Sequence, residues 1–217
     1  MKNSSLKKWF EDFDCDKTGT HSYDTIYEPH LDQYKSTFNF LEIGICKGAS
    51  SRAFLNCYDN LIYYGIDTFK RHKLNIVSDL MLNDRFKILV ADSTSNYVRD
   101  TIKGEWGDIE FDVMLDDGSH FHNDITQTFQ NMYPLLRSGG TYFIEDLFPL
   151  TFDGVVFDNP QSKGQRDFFL NNIKHFNEKT FGKLIDTVYS FNPTNVEHID
   201  LRAQDNRIDS YILKIIK

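Results

Sequence analysis

Two pairs of acidic residues follow apolar runs in this chain. Asp116 and Asp117 end one run, and Glu145 and Asp146 end another. Apolar runs of this length are typical of buried parallel strands, and neighbouring strands lie about 4.8 Å apart. If the two strands are neighbours, the acids at their ends can share one cation, with the imidazole of His120 close by. The alternative is that they are solvated acids at the ends of ordinary strands.

A second group of residues surrounds a glycine-containing turn. Glu42 precedes Gly44, and Gly48 and Ser50 follow it at the expected start of a helix. Gly44 lets the backbone turn sharply, and Gly48 opens the helix without a Cβ atom in the way. The spacing matches neither a dinucleotide-binding loop nor a phosphate-binding loop, which disfavours NAD and ATP. Glu42 instead suits a ligand with a positively charged end.

Single acids end the next two apolar runs. Asp67 ends one of them, where a carboxylate can accept hydrogen bonds from both hydroxyls of a ribose. Asp92, followed by Ser93, ends the other and is placed to receive an adenine amino group. Either acid alone is also a common turn former or helix cap. Together with the glycine turn, they indicate a cofactor site.

These residues need a sheet that brings the strand ends together. Short apolar runs recur, with room for a helix between them, at residues 38–45, 61–66, 86–90, 111–115 and 141–144. Helical spacing occurs at residues 50–57 and 124–136. The alternation predicts an α/β fold, namely a Rossmann-like, doubly wound, mostly parallel sheet.

The last third of the chain has a different pattern. Residues 151–165 are rich in Asp, Asn, Gly and Pro and predict a loop, and residues 166–181 predict a helix. Two late apolar runs, at 196–201 and 210–216, predict an antiparallel hairpin that closes the sheet edge and completes seven strands.

Composition limits the classes of partner. The 217 residues, 40% of them hydrophobic, suit one domain over residues 1–217. A net charge of -8 disfavours nucleic acids and acidic membranes, which are bound through clustered Lys and Arg. The three cysteines form no Cys-x-x-Cys pair, which suits a reducing compartment. Because the sequence shows neither a signal-peptide core nor a membrane-length apolar run, we expect a cytoplasmic protein.

The segment before the first predicted strand, residues 1–36, has two interpretations. Residues 14–28 are polar and aromatic, with little periodicity until a predicted helix near Tyr23. Such a segment is either a solvated loop on the surface or a lid over the pocket. The sequence alone leaves both open.

These motifs together resemble a known family. The Glu-x-Gly-x-x-x-Gly turn, the strand-end Asp67 and the Ala-Asp-Ser-Thr sequence at 91–94 resemble the cofactor site of class I S-adenosylmethionine-dependent methyltransferases. Further motifs are Asp-Asp-Gly-Ser-His at 116–120, Ile-Glu-Asp-Leu at 144–147, Asp-Lys at 16–17 and His-Ser-Tyr at 21–23. With them, the chain is similar to the macrocin and mycinamicin sugar O-methyltransferase family.

The resemblance implies a role for each matching residue. Asp117, Glu145 and Asp146 correspond to the family's divalent-metal ligands, with Mg²⁺ as the expected ion, and His120 corresponds to its general base. The residues expected to bind S-adenosylmethionine are Glu42, Gly44, Gly48, Ser50, Asp67, Asp92, Ser93 and Asp116. The residues expected to contact the acceptor, a sugar or glycoside, are Lys17 and Tyr23.

The chemistry of the residues agrees with this resemblance. A sugar hydroxyl is a poor nucleophile near neutral pH, but Mg²⁺ held by carboxylates can bind two neighbouring hydroxyls and lower the pKa of one of them. His120 can then remove the proton. For His122, two residues further on, we expect a position on the surface in preference to a role as a ligand.

Two functions from other classes remain open. One is an oxidative enzyme that resembles the cephalosporin hydroxylases, in which redox-active iron replaces Mg²⁺. The other is a protein that binds the cofactor without turnover. The sequence does not identify the acceptor or the natural metal, and it leaves open whether the chain forms a homo-oligomer.

Overall fold

The computed structural model describes residues 4–151 and 154–217. The helices in these ranges are α1 (Leu6–Asp12), α2 (Asp24–Leu31), α3 (Ala49–Cys57), α4 (Val98–Trp106), α5 (His122–Met132), α6 (Pro160–Asn171), α7 (Glu178–Ser190) and α8 (Arg202–Asp205). The strands are β1 (Phe38–Ile43), β2 (Leu61–Asp67), β3 (Phe86–Val90), β4 (Phe111–Asp116), β5 (Leu136–Ile144), β6 (Asn195–Asp200) and β7 (Tyr211–Ile216). None of the described helices is long and apolar enough to cross a membrane.

The seven strands form one sheet in the order β3-β2-β1-β4-β5-β7-β6. The pairs among β1 to β5 are parallel, whereas β7 runs antiparallel to both β5 and β6. From β1 the chain proceeds outward first through β2 and β3, then returns to β4 on the other side. Ligands of open α/β sheets bind at such a switch point, beyond the carboxyl ends of the strands. The predicted fold, including the antiparallel C-terminal strands, is confirmed.

The central strands are apolar because helices cover both faces of the sheet. Val113 and Leu115 of β4 belong to one hydrophobic cluster, which also contains Phe10 of α1 and Phe54 of α3. Met114, between them, belongs to a second cluster with residues of α5 and α7. A strand buried on both faces is expected to be continuously apolar rather than alternating. Between Asp112 at its start and Asp116 at its end, β4 is therefore apolar, and Asp116 lies where the strand meets the crevice.

The prediction of one helix over residues 166–181 is wrong. Helix α6 begins earlier, because the Asn159 side chain caps it and Pro160 takes its first position. It ends at Asn171, and α7 begins after Asn177, whose side chain and that of Thr180 form a reciprocal capping box. The local capping signals outweigh the weak periodicity across the break.

Residues 14–28 are packed against the sheet, so the prediction of a solvated loop is wrong. Lys17, His21, Tyr23 and Tyr27 are all buried. The helix expected near Tyr23 is α2, which Tyr23 directly precedes. Whether this segment moves as a lid stays a prediction.

The turn after β1 approaches the turn after β4 so closely that only glycine fits. Gly44 has a φ of +89°, and a Cβ atom added to it would lie 1.9 Å from the backbone oxygen of Asp117. This contact fixes the position of the glycine turn relative to the acids of β4.

We expect Gly44→Ala to lower the free energy of unfolding by about 2 to 4 kcal/mol, from the left-handed backbone and the overpacking together. Urea denaturation measures the change. Gly104→Ala is the control, because a Cβ atom at Gly104 of α4 meets nothing within 4 Å. That variant should gain up to about 1 kcal/mol from helix propensity. Wild-type stability in Gly44→Ala would contradict the close approach.

Candidate active site

A cavity of about 670 Å³ lies at the carboxyl ends of the parallel strands. The predicted site residues that line it are Lys17, Gly44, Ser50, Asp67, Asp92, Ser93, Asp116, Asp117, His120 and Asp146. The predicted residues outside the lining are Tyr23, Glu42, Gly48 and Glu145. One cavity thus contains two groups of residues. The first is the glycine turn with Asp67 and Asp92, and the second is the acidic group of Asp117 and Asp146.

Asp67 fixes the glycine turn from the end of β2. Its Oδ2 accepts hydrogen bonds from the backbone N–H groups of Ile45, at 2.8 Å, and Cys46, at 3.0 Å. Its Oδ1 accepts one from the N–H of Phe69, at 2.6 Å. A carboxylate has about four lone-pair positions, so a ligand hydroxyl can still bond to it. The contact of Asp67 with a ribose stays a prediction.

Asp92 presents an ionised carboxylate to the cavity. Its Oδ1 accepts hydrogen bonds from the hydroxyl of Thr94, at 2.6 Å, and from the Thr94 N–H, at 3.0 Å. The hydroxyl bond is the main reason that the pKa of Asp92 lies below its ordinary value. Ser93 lies beside it, with its hydroxyl 2.8 Å from that of Thr128. The predicted adenine contact of Asp92 remains untested.

Glu42 lies behind the cavity wall. It is fully buried and accepts hydrogen bonds from the hydroxyls of Ser50, at 2.9 Å, and Tyr63. The ammonium of Lys17 is 3.9 Å from its Oε1. Burial raises the pKa of Glu42 to about 7, although Lys17 and Tyr63 act in the opposite direction. Ser50 therefore faces the cavity, and Glu42 supports it from behind.

Lys17 and Tyr27 donate hydrogen bonds to the acidic group at the ends of β4 and β5. Lys17 donates from its ammonium to Oδ2 of Asp117, at 2.6 Å, and to Oε1 of Glu145. The hydroxyl of Tyr27 donates to Oε2, the other oxygen of Glu145. Burial opposes the charge on Lys17, but Asp117, Glu145 and Glu42 outweigh it and raise the pKa of Lys17. Both oxygens of Glu145 are thus engaged by the segment that precedes the sheet.

His120 faces the remaining oxygens of this group. Its Nε2 is 3.6 Å from Oδ1 of Asp117, and its Nδ1 is 3.4 Å from Oδ2 of Asp146. The hydroxyl of Tyr23 donates to Oδ1 of Asp146, at 2.6 Å. His120 and Asp146 both have positive φ values, 64° and 54°. Such strained backbones are typical of functional sites and here turn both residues toward Asp117.

The pKa values of Asp116, Asp117 and Asp146 are shifted in different directions. Burial raises the pKa of Asp116 to about 7. Burial also raises the pKa of Asp146, against the influence of His21 and His120. Burial acts in the same sense on Asp117, but Lys17 and His120 outweigh it and hold the pKa of Asp117 below its ordinary value. Of these three acids, Asp117 therefore loses its proton most readily.

The spacing of Asp117, His120 and Asp146 fits a divalent cation, since one ligand atom from each lies within 4.8 Å of the others. His21, Asp146 and Asp209 have similar spacing, but Arg207 binds both carboxylate oxygens of Asp209, each at 2.9 Å. Carboxylate oxygens are the ligands that Mg²⁺ prefers. The pair Asp117 and Asp146 is thus available to a cation.

Comparison with known proteins shows what this chain is similar to. Residues 41–147 match the family described as "Methyltransferase domain". The chain is 28% identical over 142 residues to 8-demethyl-8-alpha-L-rhamnosyl tetracenomycin-C 2'-O-methyltransferase of Streptomyces olivaceus, over 61% of this chain and 35% of that protein. It is 26% identical over 151 residues to demethylmacrocin O-methyltransferase of Streptomyces fradiae, over 66% of this chain and 36% of that protein. Residues 41–147, just under half of the chain, are thus similar to a methyltransferase domain. The family resemblance seen in the sequence is confirmed.

A solved structure shares the fold of this chain. The MycE methyltransferase from the mycinamycin biosynthetic pathway, in complex with Mg and SAH, superposes with a TM-score of 0.66. The superposition covers 99% of this chain and 55% of that chain, at 20% identity, which supports a shared fold. The chain spans about a third of the length of the curated relatives it matches.

The structure corrects two expectations about site residues and adds one residue that the sequence analysis missed. Of the four strand-end acids, Asp116 and Glu145 are buried rather than solvated. His122 is wrongly predicted at the surface. It is fully buried on α5, 3.2 Å from the hydroxyl of Thr180, and burial lowers its pKa to about 4. Tyr27 was missed, although its position four residues after Tyr23 predicts the same side of a helix.

Glu42 gives the folded protein a pH-dependent stability. Because the folded protein raises the pKa of Glu42 from 4.5 to about 7, its folded form binds the proton more tightly than the unfolded chain. Stability should fall as pH rises from about 4.5 to about 7 and level off above that range. The difference in pKa corresponds to about 3 kcal/mol.

Glu42→Gln should remove this pH dependence. The unfolding free energy of the variant minus that of the wild type should therefore increase by a few kcal/mol as the pH rises from 4.5 to about 7. Urea denaturation across this pH range provides the measurement. Glu105→Gln, at an exposed position on α4, is the control and should track wild type. Parallel pH profiles for wild type and Glu42→Gln would contradict the assignment.

Proposed function

We propose that this chain transfers a methyl group from S-adenosylmethionine to a hydroxyl group of a small molecule, and that the acceptor is a sugar or glycoside. The supporting observation is the single cavity that contains both the glycine turn with Asp67 and Asp92 and the group of Asp117, His120 and Asp146. A donor and an acceptor bound in one cavity can react directly. The relatives are named as methyltransferases of sugar-bearing antibiotics, which points to the same acceptor class.

The donor end of the cavity suits a nucleoside with a positively charged sulfur. Asp67 and Asp92, at the ends of neighbouring parallel strands, present carboxylates for the ribose hydroxyls and the adenine amino group. Gly44 lets the turn approach the ligand. Ser50, Ser93 and Asp116 complete the lining on this side.

Asp117 and Asp146 are the residues that would hold a divalent cation. Each has one carboxylate oxygen directed toward His120 rather than toward Lys17 or Tyr23. Mg²⁺ in enzymes commonly uses only one or two carboxylates and leaves its other positions to water and substrate. When bound, such a cation supplies Lewis acidity that lowers the pKa of an acceptor hydroxyl.

His120 is placed to take the proton from that hydroxyl. Its side chain is 30% exposed, lines the cavity and has a carboxylate near each ring nitrogen. A histidine ring that faces a substrate cavity can act as a general base toward a bound hydroxyl. Tyr23 and Lys17 orient Asp146 and Asp117 from the opposite side.

The donor set gives little support to an iron-dependent oxidative enzyme. Non-haem iron oxygenases typically use two histidines and one carboxylate. Within residues 4–151 and 154–217, each of the two groups with metal-ligand spacing offers a single histidine. Carboxylate-rich sites favour Mg²⁺, Ca²⁺ or Mn²⁺ instead.

Transfer of a labelled methyl group tests the proposal directly. The protein is incubated with methyl-labelled S-adenosylmethionine and a panel of sugars and glycosides, with Mg²⁺ or with excess EDTA. We expect labelled product with Mg²⁺, none with EDTA, and recovery with Mg²⁺ or Mn²⁺. Full turnover in EDTA would exclude the cation, and absence of donor binding in calorimetry would exclude the methyltransferase function.

His120→Ala should lower the single-turnover rate by about 10² to 10⁴, the usual contribution of a general base. Its affinity for S-adenosylmethionine and its melting temperature should stay close to those of the wild type. Without the His120 ring, Asp117 still accepts a hydrogen bond from Lys17, and Asp146 still accepts one from Tyr23. His198→Ala, on edge strand β6, is the matched control. A His120→Ala protein that melts early but transfers methyl groups at the normal rate would show a structural role.

A further inference from the structure

Three basic side chains at the mouth of the cavity have no acidic partner. Lys47, Arg71 and His72 line the cavity, and within residues 4–151 and 154–217 their side chains make no hydrogen bond or ion pair. We call these three residues the basic rim. The neighbouring Lys70 differs, because its ammonium is 3.8 Å from a carboxylate oxygen of Asp92. Unpaired basic residues beside a cavity, in a chain of net charge -8, indicate an anionic ligand.

The turn after β2 holds Arg71 and His72 in place. Asp67 accepts a hydrogen bond from the N–H of Phe69 at 2.6 Å, and Phe69 has a φ of +49°. A positive φ is uncommon for a bulky residue and indicates a backbone that its surroundings hold. The side chains of Phe69 and Leu74 both pack against the hydrophobic core. The basic residues between them are therefore anchored on both sides.

Arg52 holds the other segment of the basic rim. Its Nη1 donates to the backbone oxygen of Lys47 at 2.7 Å, and its Nη2 donates to that of Ile76 at 3.2 Å. Asp79 accepts two further hydrogen bonds from the guanidinium, at 2.8 and 2.6 Å. One side chain thus ties the turn after β1 to the segment that follows β2. These contacts preorganise the basic rim, which lowers the entropic cost of binding a ligand.

Arg71 lies near the boundary between the two halves of the cavity. The thiol of Cys46, in the turn after β1, shows this position. Burial raises the pKa of Cys46, the charge of Arg71 lowers it, and the charges of Asp117 and Asp67 raise it. Charges act over short distances in salt solution, so these three side chains surround the same turn. Arg71 can therefore contact one end of a ligand whose other end faces Asp117.

We propose that the basic rim binds the phosphate of a phosphorylated acceptor, either a sugar phosphate or a sugar nucleotide. The inference rests on the proposed function for the methylated sugar hydroxyl and adds the chemical class of the acceptor. A guanidinium binds phosphate oxygens in pairs, and an ammonium and an imidazole donate further hydrogen bonds. Three basic residues suit one or two phosphate groups rather than a nucleic acid, whose binding uses a larger basic surface.

Calorimetric titration tests the basic rim with three probes: inorganic pyrophosphate, glucose 1-phosphate and UDP-glucose. EDTA is present throughout, so that no metal ion bridges a phosphate to the acidic group. Arg71→Gln should weaken binding roughly tenfold or more, and Lys47→Gln roughly threefold or more. Arg99→Gln, at an exposed position on α4 outside the cavity lining, is the matched control and should bind as the wild type does. The tighter of the two sugar probes identifies the source of the phosphate.

A second series of titrations, with saturating S-adenosylhomocysteine, asks whether the basic rim instead serves the donor. We expect the affinity for pyrophosphate to persist when this donor analogue is bound. If S-adenosylhomocysteine abolishes pyrophosphate binding, the basic rim holds the carboxylate of the donor and the inference is wrong. It is also wrong if none of the three probes binds, or if Arg99→Gln weakens their binding as much as Arg71→Gln does.

The two series separate this inference from the proposed function. A failure of S-adenosylhomocysteine to bind would overturn the proposed function and leave the phosphate titrations without donor intact. Conversely, methyl transfer to neutral glycosides, combined with phosphate binding that does not depend on Arg71, would support the proposed function and overturn the role of the basic rim.

Discussion

The carboxylates at the ends of β1, β4 and β5 share one ammonium group, that of Lys17. Bringing these acids together out of water would be strongly unfavourable without a positive partner. Lys17 lies before the first strand, so this pairing also fastens residues 14–28 onto the sheet. The tyrosine hydroxyls that follow in the same segment, on Tyr23 and Tyr27, satisfy the outer oxygens of Asp146 and Glu145. The N-terminal segment is thus part of the site.

The strand order converts this pairing into an active site with two halves. β1 lies between β2 and β4, so the glycine turn borders both the acids of β2 and β3 and those of β4 and β5. The contact between Gly44 and the backbone of Asp117 holds the two halves at a fixed distance. Under the proposed function, a methyl donor on one side and a hydroxyl on the other would face each other across one cavity. Orientation of this kind supplies a large part of the rate in group transfer.

The sequence predicts the strands and the meeting of their acids well, because burial on both faces makes the strands continuously apolar. The sequence analysis left open whether the two acid-ending strands are neighbours, and the structure shows that β4 and β5 pair in parallel. The sequence does not show which acid of each pair turns outward. Asp116 and Asp117 are consecutive, yet only Asp117 reaches Lys17 and His120.

Other features depend on contacts that no local pattern reveals. Lys17 is 100 residues from Asp117 and 128 from Glu145 along the chain, so their pairing exists only in the folded protein. The burial of His122 follows from the packing of α7 on α5, and the sequence suggested one helix where α6 and α7 are separate. The capping residues Asn159 and Asn177 contained the correct signal for that break.

Anomalous diffraction from crystals containing Mn²⁺ and S-adenosylhomocysteine tests the central claim most directly. The account predicts a metal peak at Asp117 and Asp146 and the nucleoside beside Asp67 and Asp92, in the same cavity. A nucleoside bound away from Asp67 and Asp92, or no metal peak at Asp117 and Asp146, would contradict it.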